Sequence, residues 1–111
     1  MRVPDVELLW WEGCPSTEEA VQELRVVLSG LGLDEVEVRM REISSDEDAD
    51  QAGFIGSPTV LVDGADVAPQ PGEPAGLSCR VYHRRDGSIS PTPDPMDVRD
   101  ALRRAVAAEA A

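Results

Sequence analysis

Along this chain the spacing of apolar positions changes from segment to segment, and each change predicts an element. Residues 6–11, Val-Glu-Leu-Leu-Trp-Trp, are mostly apolar and predict a central strand. Ala20, Val21, Leu24, Val27, Leu28 and Leu31 then recur at helical spacing, with Glu18, Glu19, Gln22, Glu23 and Arg25 outside. Pro15 suits the first turn of that helix, where a missing N–H costs nothing. Gly30 and Gly32 stop it. Residues 36–41 alternate strictly, which marks a strand with one wet face or at a sheet edge. Ser44 or Ser45 caps a short acidic helix ending near Ala52.

A β-branched strand follows at 59–62, closed by the turn pair Asp63-Gly64. Residues 65–76 form a loop rich in Pro and Gly. Residues 78–84 alternate again and predict a fourth strand, with Cys79, Val81 and His83 on one face and Arg80, Tyr82 and Arg84 on the other. Asp86-Gly87 makes a turn, and Asp94 caps a last helix with Pro95 at its first position. Val98, Ala101, Leu102, Ala105 and Val106 form the inner stripe of that helix. The order β-α-β-α-β-β-α carries no internal repeat. Sequential βαβ units need right-handed crossovers and hence parallel strands, while the last two strands pair antiparallel through their loop. The apolar first and third strands belong in the middle and the alternating second and fourth at the edges. The expectation is an α/β fold: a four-stranded mixed sheet of order 2-1-3-4 with helices on both faces.

Composition narrows this picture without changing it. At 111 residues and 12.0 kDa, residues 1–111 read as a single domain, since two would each be too small for a core. No apolar run reaches the roughly 18 residues of a membrane helix. The N-terminus lacks the apolar stretch of a secretory signal, so the expected location is cytoplasmic. Net charge is −12, from 22 acidic residues against 10 basic ones, all of them Arg. That balance argues against nucleic acid or an anionic membrane as partner, because either needs a basic face. The acidic run 46–50 lacks the Gly turn and bidentate Glu of a calcium loop, and no metal or cofactor is expected. Oligomeric state is not legible.

The candidate chemistry lies in two short segments. Trp10-Trp11-Glu12-Gly13-Cys14-Pro15-Ser16-Thr17 ends a strand and opens a helix. A thiol at such a junction sits near unpaired N–H groups and the positive end of the helix dipole, which favour the nucleophilic thiolate. Glu12 opposes this through its like charge. The Thr17 hydroxyl and N–H are candidate donors to the Cys14 sulfur. The second segment is Gly53-Phe54-Ile55-Gly56-Ser57-Pro58-Thr59, leading straight into a strand. Cys79 reads first as a packing residue of the fourth strand, whose start lies away from Cys14. A loop 65–76 folded back over the site would make it a resolving thiol instead. His83 reads as a surface strand residue, and the rings of Trp10 and Trp11 face opposite sides of the sheet.

These segments resemble the thioredoxin fold family, and the resemblance covers nearly the whole chain. Residues 53–59 followed by an apolar strand are similar to that family's Gly-aliphatic-x-x-x-Pro-Thr stretch, in which the proline is cis and lies against the reactive thiol. The resemblance places Pro58 there, and Cys14, four residues after Trp10, at the nucleophilic position. Where the family has Cys-x-x-Cys, this chain has Cys14-Pro15-Ser16-Thr17. Leu8 stands in place of the buried acid that serves the second cysteine, and Gly13 in place of a Trp. Small bacterial thioredoxin-like proteins with Gly-Ser-Pro-Thr, Val-Asp-Gly and Cys-Arg-x-Tyr segments look most similar; Gly56-Ser57-Pro58-Thr59, Val62-Asp63-Gly64 and Cys79-Arg80-Val81-Tyr82 match here. Some of that group carry an alkylmercury-lyase label.

The resulting expectation is a thiol oxidoreductase or thiol-exchange protein acting through a mixed disulfide on Cys14. Its substrate is a protein or low-molecular-weight thiol or disulfide, and Cys79 or an external thiol resolves the mixed disulfide. Trp11, Gly13, Pro15, Ser16, Thr17, Ser57, Pro58 and Thr59 would surround the substrate, with Ser57 and Thr59 offering backbone groups to an extended strand at an open edge. The alternatives are a binding module without turnover, holding a thiophilic metal or organomercurial through Cys14 and Cys79, or an inert interaction domain.

Overall fold

Why the chain folds back where it does follows from the lengths of its elements. In the computed structural model, which describes residues 3–110, these are β1 (Val6–Trp10), α1 (Thr17–Gly30), β2 (Val38–Glu42), α2 (Asp46–Ala52), β3 (Thr59–Val62), β4 (Ala65–Asp66), β5 (Tyr82–His83), β6 (Ile89–Ser90) and α3 (Pro95–Ala110). The main sheet has four strands in the order β2-β1-β3-β4, and β5 pairs with β6 in a separate two-stranded ribbon. The expected order 2-1-3-4 is therefore present, in a mixed sheet with three helices.

Two parts of the expected layout are corrected. β1 and β2 are parallel, but β3 runs antiparallel to β1, with Leu9 opposite Thr59 and Val6 opposite Val62. The reason is length. α2 has seven residues and spans about 10 Å at about 1.5 Å per residue. That is short of the roughly 17 Å covered by a five-residue strand such as β2. The chain therefore turns over at the end of β2 and comes back down the sheet. The fourth strand is also a different segment. It is formed by Ala65–Asp66, directly after the Asp63-Gly64 turn, and not by residues 78–84. Asp63 has φ +50° and Gly64 φ +82°, which lets the chain reverse in two residues.

Helices cover both faces. Val6, Leu8, Val60 and Val62 pack with Leu24 and Leu28 of α1 and Val98 and Leu102 of α3. On the other face Leu9 and Ile43 pack with Ala49 of α2 and Phe54. Trp10 joins the first cluster and Trp11 the second, as the alternation of strand side chains requires. Ser45 caps α2 by accepting from Asp48 N, and Gly53 closes it at φ +65°. At α3, Asp94 accepts from Met96 N and also from Arg85 N, tying the β5–β6 ribbon to the helix start. No helix among the described residues is long and apolar enough to cross a membrane.

Candidate functional site

β1 ends at Trp10 and α1 begins at Thr17, so Cys14 lies in the connection between them. Pro15 and Ser16 form a turn ahead of the helix, so Pro15 does not occupy the helical first turn expected for it. The connection begins with a tight turn closed by Cys14 N–H donating to Trp11 O at 3.0 Å. A Cβ on Gly13 would fall 2.3 Å from the Trp11 ring, so the indole lies across this glycine, and only glycine leaves it there. Gly13 and Pro15 are exposed, while Trp11, Ser16 and Thr17 are half-buried. The Cys14 side chain turns inward, leaving the residue 5% exposed.

Antiparallel β3 brings its own start up to this level. The Ser57–Pro58 peptide is cis, as the resemblance implied, and the Cys14 thiol donates to Ser57 O at 3.4 Å. The expected hydrogen bond from the Thr17 hydroxyl is not made: Thr17 Oγ1 is buried without a partner. Ser57 Oγ is likewise buried and unpartnered. The Thr59 hydroxyl donates to Gly56 O at 2.7 Å and accepts from Arg80 Nη1 at 3.1 Å.

The edge expected to stay open for a substrate strand is occupied by the chain itself. Ser57 N–H donates to Ser78 O at 2.7 Å, and Arg80 N–H donates to Ser57 O at 2.9 Å. These two bonds form a parallel bridge between Ser57 and Cys79. Residues 78–80 thus run beside the prolyl turn as a strap. Gly56 is what lets them approach, since a Cβ there would sit 3.2 Å from the backbone of Arg80, and its φ of +146° also favours glycine.

Arg80 fastens the strap from below. It is 3% exposed, and its guanidinium pairs with Asp66 at 2.8 Å, donates to Thr59 Oγ1 and Ala68 O, and lies 4.4 Å from the centre of the Tyr82 ring. The Tyr82 hydroxyl donates to Pro58 O. Burial pushes the Tyr82 phenol up, partly offset by the charge of Arg80. The alternation of residues 78–84 therefore has the opposite phase to the one expected. Arg80 and Tyr82 point inward, and Cys79, Val81 and His83 are exposed. A buried arginine is uncommon unless paired, and here Asp66 and two further acceptors, Thr59 Oγ1 and Ala68 O, outweigh the apolar character of Val81.

Placing Arg80 inward turns Cys79 outward, onto Cys14. Both cysteines are free thiols. The Cys79 thiol is pushed up from 9.0 to about 11, first by its hydrogen bond with Cys14, then by burial and by like charge on the Cys14 sulfur. Cys79 also borders a groove of about 420 Å³, lined with Ile55, Gln70, Glu73, Ser78 and His83. Of the residues singled out in the sequence, Cys14, Cys79, Ser57, Pro58 and Thr59 come together; Trp11 and Gly13 flank them.

Arg80, Asp66 and Tyr82 were not foreseen as part of this site. Their signal was the pairing of one arginine and one large aromatic in the same phase of a strand-like segment, with an acid just beyond a tight turn. Comparison of the chain with models of known families, with curated proteins and with solved structures finds no match.

Proposed function

We propose that this chain is a thioredoxin-like thiol oxidoreductase whose redox centre is the pair Cys14 and Cys79. The observation that carries the reading is that two free thiols, distant in sequence, are both held at Ser57: Cys14 donates to Ser57 O and Cys79 bridges Ser57, beside the cis Ser57–Pro58 peptide. Cys14 lost the Cys-x-x-Cys partner expected from the resemblance, and Cys79 supplies a second sulfur from another part of the fold. In the forward direction the Cys14 thiolate attacks one sulfur of a disulfide RSSR. A Cys14–S–S–R bond forms and RS⁻ leaves, taking a proton from solvent. Cys79 then loses its proton and attacks the Cys14 sulfur. The second RS⁻ leaves, the Cys14–Cys79 disulfide forms, and two RSH have been made. An external low-molecular-weight thiol or dithiol returns the pair to its reduced state.

The test is trapping. With a model disulfide, Cys79→Ser should accumulate the mixed disulfide on Cys14, seen by intact mass, with turnover largely lost. Cys14→Ser should form neither adduct nor product. Wild-type turnover in Cys14→Ser removes the reading.

The same adjacency favours a second reading, a binding module for a thiophilic ion. No group of three or more His, Cys, Asp or Glu is arranged for a metal among the described residues, so the pair would suit a two-coordinate ion such as Hg(II) or Cu(I). Stoichiometric tight binding with no disulfide turnover would favour it.

A further inference from the structure

The surroundings of the thiol pair limit what can reach it. An extended polypeptide would dock at the prolyl turn through the backbone N–H and C=O of Ser57, the usual way a strand adds to an edge. Both groups are already bonded to Ser78 and Arg80 of the same chain. Cys14 is 5% exposed, so a sulfur held in a folded protein cannot approach it closely. The open space is the groove of about 420 Å³ beside Cys79, a size suited to a small molecule. We infer that the substrate of the Cys14–Cys79 pair is a low-molecular-weight disulfide, neutral or cationic, taken into the groove beside Cys79. This inference rests on the oxidoreductase reading above and adds the class of substrate.

The charge preference comes from the groove lining and from the whole chain. The ionisable groups lining the groove are Glu73, His83, Cys79 and Arg80. Arg80 is buried and its charge is matched by Asp66 at 2.8 Å. That leaves the Glu73 carboxylate as the strongest free charge beside a thiol pair, on a chain of net charge −12. A field of one sign over a cleft raises the local concentration of opposite charge and lowers that of like charge. Chemistry follows the balance already given: RSSR and the dithiol become two RSH and the Cys14–Cys79 disulfide.

The experiment mixes reduced wild-type protein with cystamine (cationic), 2-hydroxyethyl disulfide (neutral), oxidised glutathione (anionic) or insulin, and follows Cys14–Cys79 disulfide formation by mass spectrometry after acid quench. Cystamine should react about tenfold faster than oxidised glutathione at low salt, a ratio that shrinks at high salt. Insulin should be slower than the neutral small disulfide. Glu73→Gln, on the exposed loop, should narrow the cystamine-to-glutathione ratio. Insulin reacting as fast as the small disulfides overturns this inference and leaves the oxidoreductase reading standing. A faster anionic disulfide overturns the charge preference. Failure of all four to oxidise the pair, with Cys14 still open to alkylation, overturns the reading itself and this inference with it.

Discussion

At the scale of single residues, the site turns on what holds the proton of Cys79. Cys79 keeps its proton up to about 11 because it donates to Cys14, is partly desolvated, and meets like charge there. Two of these three causes act through Cys14 and disappear in Cys14→Ser. Thiolate, not thiol, reacts with iodoacetamide. Alkylation of Cys79 should therefore rise with a midpoint near 11 in the wild type and fall back toward 9.0 in Cys14→Ser. An unchanged midpoint would mean that the sulfurs do not interact. Two glycines matter at this scale for different reasons. Gly13 makes room for the Trp11 ring, the free end of a side chain, so Gly13→Ala displaces a mobile group. Gly56 makes room for the backbone of Arg80, which has nowhere to go.

Among the elements, the strap at 78–80 depends on a buried ion pair. Arg80 is almost fully enclosed and Asp66 is 21% exposed at its side chain. Asp66→Asn keeps an acceptor but leaves the guanidinium without a counter-charge. The expected loss is about 1–3 kcal/mol, below the roughly 3–5 kcal/mol of a fully enclosed pair because Asp66 is partly wet. Arg39 makes two good hydrogen bonds to Asp5, yet both side chains are more than half exposed. Arg39→Ala should cost under about 1 kcal/mol, both losses being read from urea unfolding titrations of the two variants and the wild type. Equal losses would contradict the role given to Arg80. Much at this scale was legible beforehand. Thr59–Val62, the Asp63-Gly64 turn and the Ser45 and Asp94 caps lie where local chemistry puts them. The direction of β3 was not legible, because crossover rules assume a helix long enough to return the chain. Parallel β3 was also at odds with placing Pro58 against Cys14. Cys14 follows the end of β1, and a parallel β3 would start at the opposite end of the sheet. Only the antiparallel arrangement brings the two together. The phase of residues 78–84 was illegible for another reason: strict alternation states that two faces differ but does not say which is inside.

For the molecule as a whole, the governing quantity is its surplus of negative charge. With 22 acidic and 10 basic residues, the folded chain at neutral pH repels itself over its whole surface. Lowering the pH toward the isoelectric point near 4.3 removes that repulsion. A second set of groups sets the limit. Asp94 is held below the ordinary carboxylate value of 3.8 by N–H donors from Arg85 and Met96, Asp86 by Ser88, and Asp100 by Arg85. A carboxylate with a lowered folded value binds protons less readily when folded. Its contribution is complete above 3.8 and is lost as pH falls through the lower folded value. The two trends oppose each other on opposite sides of that pH. The thermal midpoint should therefore climb as pH is lowered from 8 to about 5, then fall steeply below about 3.8. Added salt screens long-range repulsion between exposed charges, so about 0.5 M salt, where the Debye length is about 4 Å, should flatten the climb above pH 5. It should not rescue the fall below 3.8, which comes from protonating hydrogen-bonded carboxylates at contact distance. A midpoint that is flat from pH 8 to 5 at low salt would show that the surplus charge is spread too thinly to oppose folding.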